Sequence, residues 1–163
     1  MWTTANLCDR YSTSSRLQIA SPDFKSYGKK SSFYGQISTI KVFEDNVIVR
    51  QALKETVNNR ILVLDGGGSK RCALLGDNIA SIASVNQWQG IIVNGCVRDS
   101  EQLVKIPIGI MALGVHPLKS NKNGHGERDI PVCFSGIIFN HDDYLYADAD
   151  GIVVSKQNLI RIP

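Results

Sequence analysis

The sequence has no apolar run near the ~18 residues that a membrane-spanning helix requires, and this argues against a transmembrane anchor. Its first twelve residues, MWTTANLCDRYS, do not pair a basic segment with an apolar one, so no secretory leader is expected. The four cysteines (Cys8, Cys72, Cys96 and Cys133) show neither CxxC nor zinc-ligand spacing. Reduced, mostly buried thiols in a cytoplasmic protein are the expectation. Neither GxxxxGK[ST] nor GxGxxG occurs, which weakens any nucleotide-loop reading. The formal net charge is only +3, with basic residues spread along the chain and no RNP-type or helix-turn-helix signature. Direct nucleic-acid binding is not expected.

What is present is an ordinary globular composition, 43% hydrophobic and 20% charged over 163 residues. That length suits one domain with a real core, here residues 1–163. Thr3 or Thr4 can cap a short first helix, and residues 17–34 read as irregular. Residues 35–42 alternate as a strand. Glu44, Asp45 and Asn46 then open a helix reaching about residue 55, with the acids at the positive end of its dipole.

The informative stretch is residues 61–101. ILVLD is a short, continuously apolar strand, as expected when both faces are covered. The triple glycine 66–68 reads as a tight turn. Gly76-Asp77-Asn78 precedes a helix with Ile79, Ile82, Ala83 and Val85 inward, where Asp77 can serve as N-cap. The free N–H groups of that first turn also suit a carboxylate or phosphate. GIIVNGCV is a second buried strand, followed directly by Arg98-Asp99.

Strand, helix and strand of these lengths imply a parallel pair joined by a right-handed crossover. The loops around residues 66–77 and 98–101 then share the edge where ligands of open α/β sheets bind. Arg98 and Asp99 fall on opposite sides if the strand continues, and close together if the chain has turned. A surface ion pair, or a cap by Asp99 for a helix over 100–105, is the plain alternative to a functional pair.

A carboxylate beside a guanidinium suits a hydrated Mg²⁺ and an oxyanion. His116, His125 and His141 show no ligand spacing, and Cys96 reads as a packed small residue. Lys119, Lys122 and Arg128 read as part of a solvated polar loop over 120–129. Short strands are expected over 106–114, 130–139, 144–147 and 152–155.

The segments KVFEDN (41–46), LDGGGSKRCALLGD (64–77), GIIVNGCVRD (90–99), GVHPLK (114–119) and YADADGIVVS (146–155) resemble one family. It comprises the 4-hydroxy-4-methyl-2-oxoglutarate aldolases and the proteins called regulator of ribonuclease E activity A. The resemblance implies a single α/β domain of the swivelling β/β/α type, with a parallel βαβ core and an antiparallel C-terminal β section. It implies a homotrimer, or a hexamer as a dimer of trimers, with active sites between subunits.

In the aldolase branch it implies a class II lyase dependent on Mg²⁺ or Mn²⁺. Such an enzyme cleaves 4-hydroxy-4-methyl-2-oxoglutarate to two pyruvates and decarboxylates oxaloacetate through the same enolate. By resemblance Asp99 is the metal ligand, Arg98 the enolate-binding arginine and Asp77 the proton-relaying acid. Gly76, Asp77, Asn78 and Ile79 match the turn that binds the 2-oxo acid. The regulator branch shares the fold, commonly lacks the acid after the arginine, and binds ribonuclease E as a protein partner. This chain keeps Asp77, Arg98 and Asp99 but has Gln102 where aldolases often carry an acid, with Glu101 beside it.

Overall fold

A computed structural model describes residues 1–14 and 16–160 as a single mixed α/β domain. Helix α1 (Thr4–Tyr11) starts where Thr3 Oγ1 accepts the Asn6 N–H at 3.0 Å. Residues 17–34 are less irregular than their turn-rich composition implies. They contain β1 (Leu17–Ile19) and β2 (Lys25–Ser26), edge strands too short to carry a period-2 signal.

The central strands are β3 (Phe33–Lys41), β4 (Arg60–Asp65), β6 (Gly90–Val97) and β7 (Gly109–Val115), parallel to one another in that order. Strand β5 (Ala73–Leu75), unrecognised inside the glycine-containing loop, adds to β6 in parallel. Strands β11 (Tyr144–Asp148) and β12 (Gly151–Ser155) form the expected antiparallel hairpin and join β3. The predicted 130–139 strand is instead a hairpin of β9 (Val132–Phe134) and β10 (Ile137–Phe139). Ser135 and Gly136, both at positive φ, break it. A further short strand, β8 (Glu127–Arg128), pairs with β3 out of the polar loop.

Each face of the sheet has its own core. Leu62 and Leu64 of β4 pack with Val49, Ala52 and Leu53 of α2 (Val47–Leu53) and with Ile79, Ala80 and Ala83 of α3 (Asp77–Val85). Ile61 and Val63 face the opposite way, towards Val132, Ile137 and Phe139 of the β9–β10 hairpin. Double coverage explains why residues 61–64 of β4 and 91–93 of β6 are continuously apolar; each fully buried Leu or Ile contributes roughly 1.5–3 kcal/mol. Helix α2 is shorter than predicted, because Asp45 is drawn into an isolated β-bridge with Asn121 and Asn46 takes the N-cap position. Val85, expected inward on α3, is 81% exposed: it stands at the last turn, beyond the sheet's cover.

The register of β6 and β7 is set by Phe33. Gly90 and Gly109 are paired across the two strands, and a Cβ on either would enter the Phe33 ring. Of the thiols, Cys72 and Cys96 are buried, Cys8 is half-buried, and Cys133 is exposed on the outer side of β9, against expectation. Among the described residues no helix is long and apolar enough to cross a membrane.

Candidate active site

Strand β6 ends at Val97, and the Arg98 N–H donates to the Leu75 carbonyl at 2.9 Å, closing β5 against β6. The next residue, Asp99, adopts φ 57°, ψ 39° and ends strand alternation abruptly; helix α4 (Ser100–Leu103) follows. Asp is among the residues that tolerate this left-handed conformation. The turn settles the orientation that the sequence left open. Arg98 Nε lies 3.8 Å from Asp99 Oδ2, with both side chains about two-fifths exposed.

The same Asp99 oxygen accepts the N–H of Asp77 at 3.2 Å. Asp77 is the first residue of α3, so the N-cap position belongs to Gly76 rather than to Asp77. The Asp77 carboxylate turns back to accept the Asn78 N–H at 2.8 Å. Two donors of the turn predicted to bind a substrate anion are therefore engaged by the chain's own carboxylates. Gly76 is needed for space rather than for dihedral freedom, since its φ of −129° and ψ of −171° are extended. A Cβ there would stand 2.6 Å from Asp99 Oδ2 and 3.3 Å from Arg98 Cγ.

These residues line a shallow cleft of about 80 Å³ that brings together all the predicted positions: Gly76, Asp77, Asn78, Ile79, Arg98 and Asp99. Four further side chains, from elements distant in sequence, line it too: Asn46, Arg50, Lys119 and Lys122. All three loop cations are exposed, as the solvated reading expected; Arg128 forms two bonds, of 2.7 and 3.0 Å, to the Glu55 carboxylate, whereas Lys119 and Lys122 also line the cleft. Glu101 and Gln102 lie on α4, exposed and outside the cleft lining.

The loop bearing the two lysines has no regular structure, yet it is tied along its length. The Ala73 N–H donates to the Leu118 carbonyl at 2.7 Å, and the Asn121 N–H to that of Glu44 at 2.8 Å. Buried Asp45 accepts the N–H groups of Asn123, Gly124 and His125 on one oxygen and of Val47 on the other. Burial would push the Asp45 carboxyl up, but these hydrogen bonds outweigh it and hold it below the usual range. The Asn46 amide accepts from Lys122 Nζ at 3.1 Å and donates to the buried Leu74 carbonyl at 3.2 Å. Partners some 76 to 80 positions apart leave no local pattern; the sole signal was the adjacency of Asp45 and Asn46.

Glu44 does not serve the helix dipole. At φ 55° its carboxylate accepts from Arg71 Nε at 2.6 Å and Ser69 Oγ at 2.7 Å, and the Arg71 bond holds its pKa below the ordinary value. None of the three histidines lines the cleft; His116 Nδ1 accepts the Leu118 N–H, a local turn contact. Burial pushes the Cys96 thiol up, which suits packing rather than nucleophilic attack.

Among the described residues no group of three or more His, Cys, Asp or Glu side chains is placed to hold a metal. The cleft offers two carboxylates, those of Asp77 and Asp99. That donor set does not suit a tetrahedral zinc site, but it fits Mg²⁺, which takes one or two carboxylates and keeps several waters. A larger cavity, about 690 Å³, lies between α1 and residues 157–160, and among the described residues it is lined by no acid or histidine. The smaller cleft, with its opposed carboxylates and cations, is the one equipped for acid–base chemistry.

A family model described as RraA-like, Aldolase/RraA, matches residues 4–154. A protein of Methylococcus capsulatus with the provisional name 4-hydroxy-4-methyl-2-oxoglutarate aldolase is 55% identical, over 98% of this chain and 99% of the relative. A relative of the same provisional name from Alkalilimnicola ehrlichii is 51% identical over 97% of each chain. Two solved structures superpose with a TM-score of 0.93. One, described as the RNA-processing inhibitor RraA from Thermus thermophilis, is 39% identical and covers 99% of this chain and 97% of its own. The other, from Geobacillus kaustophilus, is 47% identical over 97% of each chain and is described as an S-adenosylmethionine:2-dimethylmenaquinone methyltransferase.

Proposed function

Because the chain belongs to the Aldolase/RraA family, we propose that it is a lyase dependent on Mg²⁺ or Mn²⁺ that acts on 4-carboxy-2-oxo acids. The preferred substrate is 4-hydroxy-4-methyl-2-oxoglutarate, and oxaloacetate decarboxylation is a second activity. The observation carrying this reading is the convergence of Asp77, Arg98 and Asp99 in one cleft from two separate sheet-edge loops. The identities of 55% and 51% to relatives provisionally named for that aldolase support it.

In this reading Asp99 would hold the ion, which when bound would supply Lewis-acid polarisation of the 2-oxo group. Arg98 carries the chemistry's charge. Cleavage breaks C3–C4; the bonding pair moves onto C3–C2 as the enolate of one pyruvate, whose oxyanion the guanidinium balances. The proton leaves the C4 hydroxyl as that carbon becomes the keto group of the second pyruvate. Asp77, through a water, accepts this proton and returns it to C3, which becomes a methyl group. With oxaloacetate the same bond breaks, carbon dioxide departs, and the proton reaching C3 comes through the same relay. The substrate's C1 carboxylate takes over the α3 N–H groups that Asp77 and Asp99 now engage.

The methyltransferase description of the Geobacillus relative finds no support in the glycine turn. A Cβ on Gly66 would strike the Leu74 side chain and come within 2.9 Å of the Asn94 carbonyl, so the first glycine of the turn is packed against protein. The description of the Thermus relative as an RNA-processing inhibitor supports a second reading, in which this chain is cytoplasmic and also inhibits a ribonuclease, taken from the family resemblance to be ribonuclease E. Its test is an inhibition assay; no binding at micromolar concentration would count against it. The proposed homotrimer or hexamer predicts a solution mass of three or six times the 17.9 kDa chain by light scattering.

The lyase reading is tested by pyruvate release with Mg²⁺ or Mn²⁺. Activity above the metal-only rate is expected, abolished by chelation and restored by adding the ion back. Wild-type release no greater than that of Asp99→Ala would overturn it.

A further inference from the structure

The cleft holds more positive charge than the proposed chemistry uses. Arg98 serves the enolate and is partnered by Asp99, whereas Arg50, Lys119 and Lys122 have no carboxylate partner among the described residues. Four cations against two carboxylates leave a formal surplus of two positive charges around a small space. Such a surplus suits an anion with more than one charged group.

Lys122 is exposed, yet its head group is tied to the core through a hydrogen bond. Its Nζ donates to Asn46 Oδ1 at 3.1 Å, and the Asn46 side chain is fixed in turn by its bond to the buried Leu74 carbonyl. Asn46 is only 7% exposed, so a lysine from an irregular loop is held by an amide rooted in the core. A lysine that serves only solubility needs no such restraint, and ordering its long side chain costs entropy. Arg50, one turn further along α2, lines the same cleft.

We propose that Lys122, positioned by Asn46 and assisted by Arg50, forms a subsite for the distal carboxylate of a dicarboxylic 2-oxo acid. Substrates then lie across the cleft, with the 2-oxo acid end at Gly76–Ile79 and Arg98 and the far carboxylate at Lys122. This subsite makes the protein select dianionic over monoanionic 2-oxo acids of equal length. It rests on the lyase reading for the orientation of the substrate, and its test separates the two.

The probes are 2-oxoglutarate and 2-oxopentanoate, five-carbon 2-oxo acids that differ in the terminal carboxylate and lack the C4 hydroxyl that aldol cleavage requires. Their dissociation constants are measured by titration calorimetry on the full chain in Mg²⁺ buffer, so the readout does not depend on turnover. Wild type should bind 2-oxoglutarate at least tenfold more tightly than 2-oxopentanoate. Lys122→Gln should bring that ratio to within twofold of unity by weakening 2-oxoglutarate alone, and Lys122→Arg should restore most of it. Asn46→Ala should lower the ratio partially. A wild-type ratio near unity, or a ratio unmoved by Lys122→Gln, overturns the subsite even where pyruvate release is robust. A ratio that behaves as stated alongside an inactive wild type upholds the subsite and overturns the lyase reading.

Discussion

The carboxylate of Asp99 accepts the backbone N–H of Asp77 at 3.2 Å across 22 positions of sequence. One side chain thus ends one loop and caps the helix that begins another, while also facing Arg98. Its structural and chemical duties can be separated by substitution.

Asp99→Asn keeps an oxygen able to accept the Asp77 N–H, whereas Asp99→Ala removes it. Both should reduce pyruvate release by at least about a hundredfold, in line with the loss of a charged group acting on the transition state. Only the alanine variant should lose stability, by about 1 kcal/mol as for a helix cap. Urea denaturation beside the activity assay checks this; equal stability losses in both variants would show that the cap contributes nothing.

Gly76→Ala is compatible with the local backbone but brings a Cβ to within 2.6 Å of the Asp99 carboxylate. Activity should fall at least tenfold while the unfolding midpoint stays near that of the wild type. A fully active variant would mean that Asp99 can shift without consequence.

Asp45 makes stability pH-dependent. Its folded pKa is depressed because backbone N–H groups outweigh the effect of burial, so its contribution is complete above the unfolded value of about 3.9 and is lost as pH falls through the folded pKa. Asp45→Asn should cost about 2 kcal/mol at neutral pH and flatten the decline in stability below pH 4. Urea midpoints at pH 7 and pH 3 decide; a decline as steep as that of the wild type would assign the effect to other depressed carboxylates, such as Glu55 or Asp148.

Gly109→Ala places a methyl group in the Phe33 ring at the β6–β7 register. Overpacking there should cost up to about 3 kcal/mol, read as a lowered urea midpoint. Phe33→Leu in the same background should recover part of the loss, since a smaller side chain leaves room for the methyl.

The parts legible from sequence were those whose determinants are local. Continuous apolar runs marked β4 and β6, the Gly76–Asp77 turn marked the start of α3, and the charged pair after β6 marked the candidate site. What escaped was set by contacts between distant segments. The local pattern around Asn46 could not show that Lys122, 76 positions away, would meet it. Strand β5 was too short to show a period, and Val85 obeyed helical spacing at a turn the sheet no longer covers. The mutual orientation of Arg98 and Asp99 hinged on a single left-handed dihedral, which no side-chain pattern announces.

The Asp45 carboxylate, gathering N–H groups from Asn123, Gly124, His125 and Val47, has a kinetic side as well. The entropy of fixing the lysine loop is spent once, when the protein folds, instead of at every encounter with ligand. Association through this rim should therefore be governed by charge attraction rather than by loop closure, rising at low ionic strength and falling as salt screens the lysines.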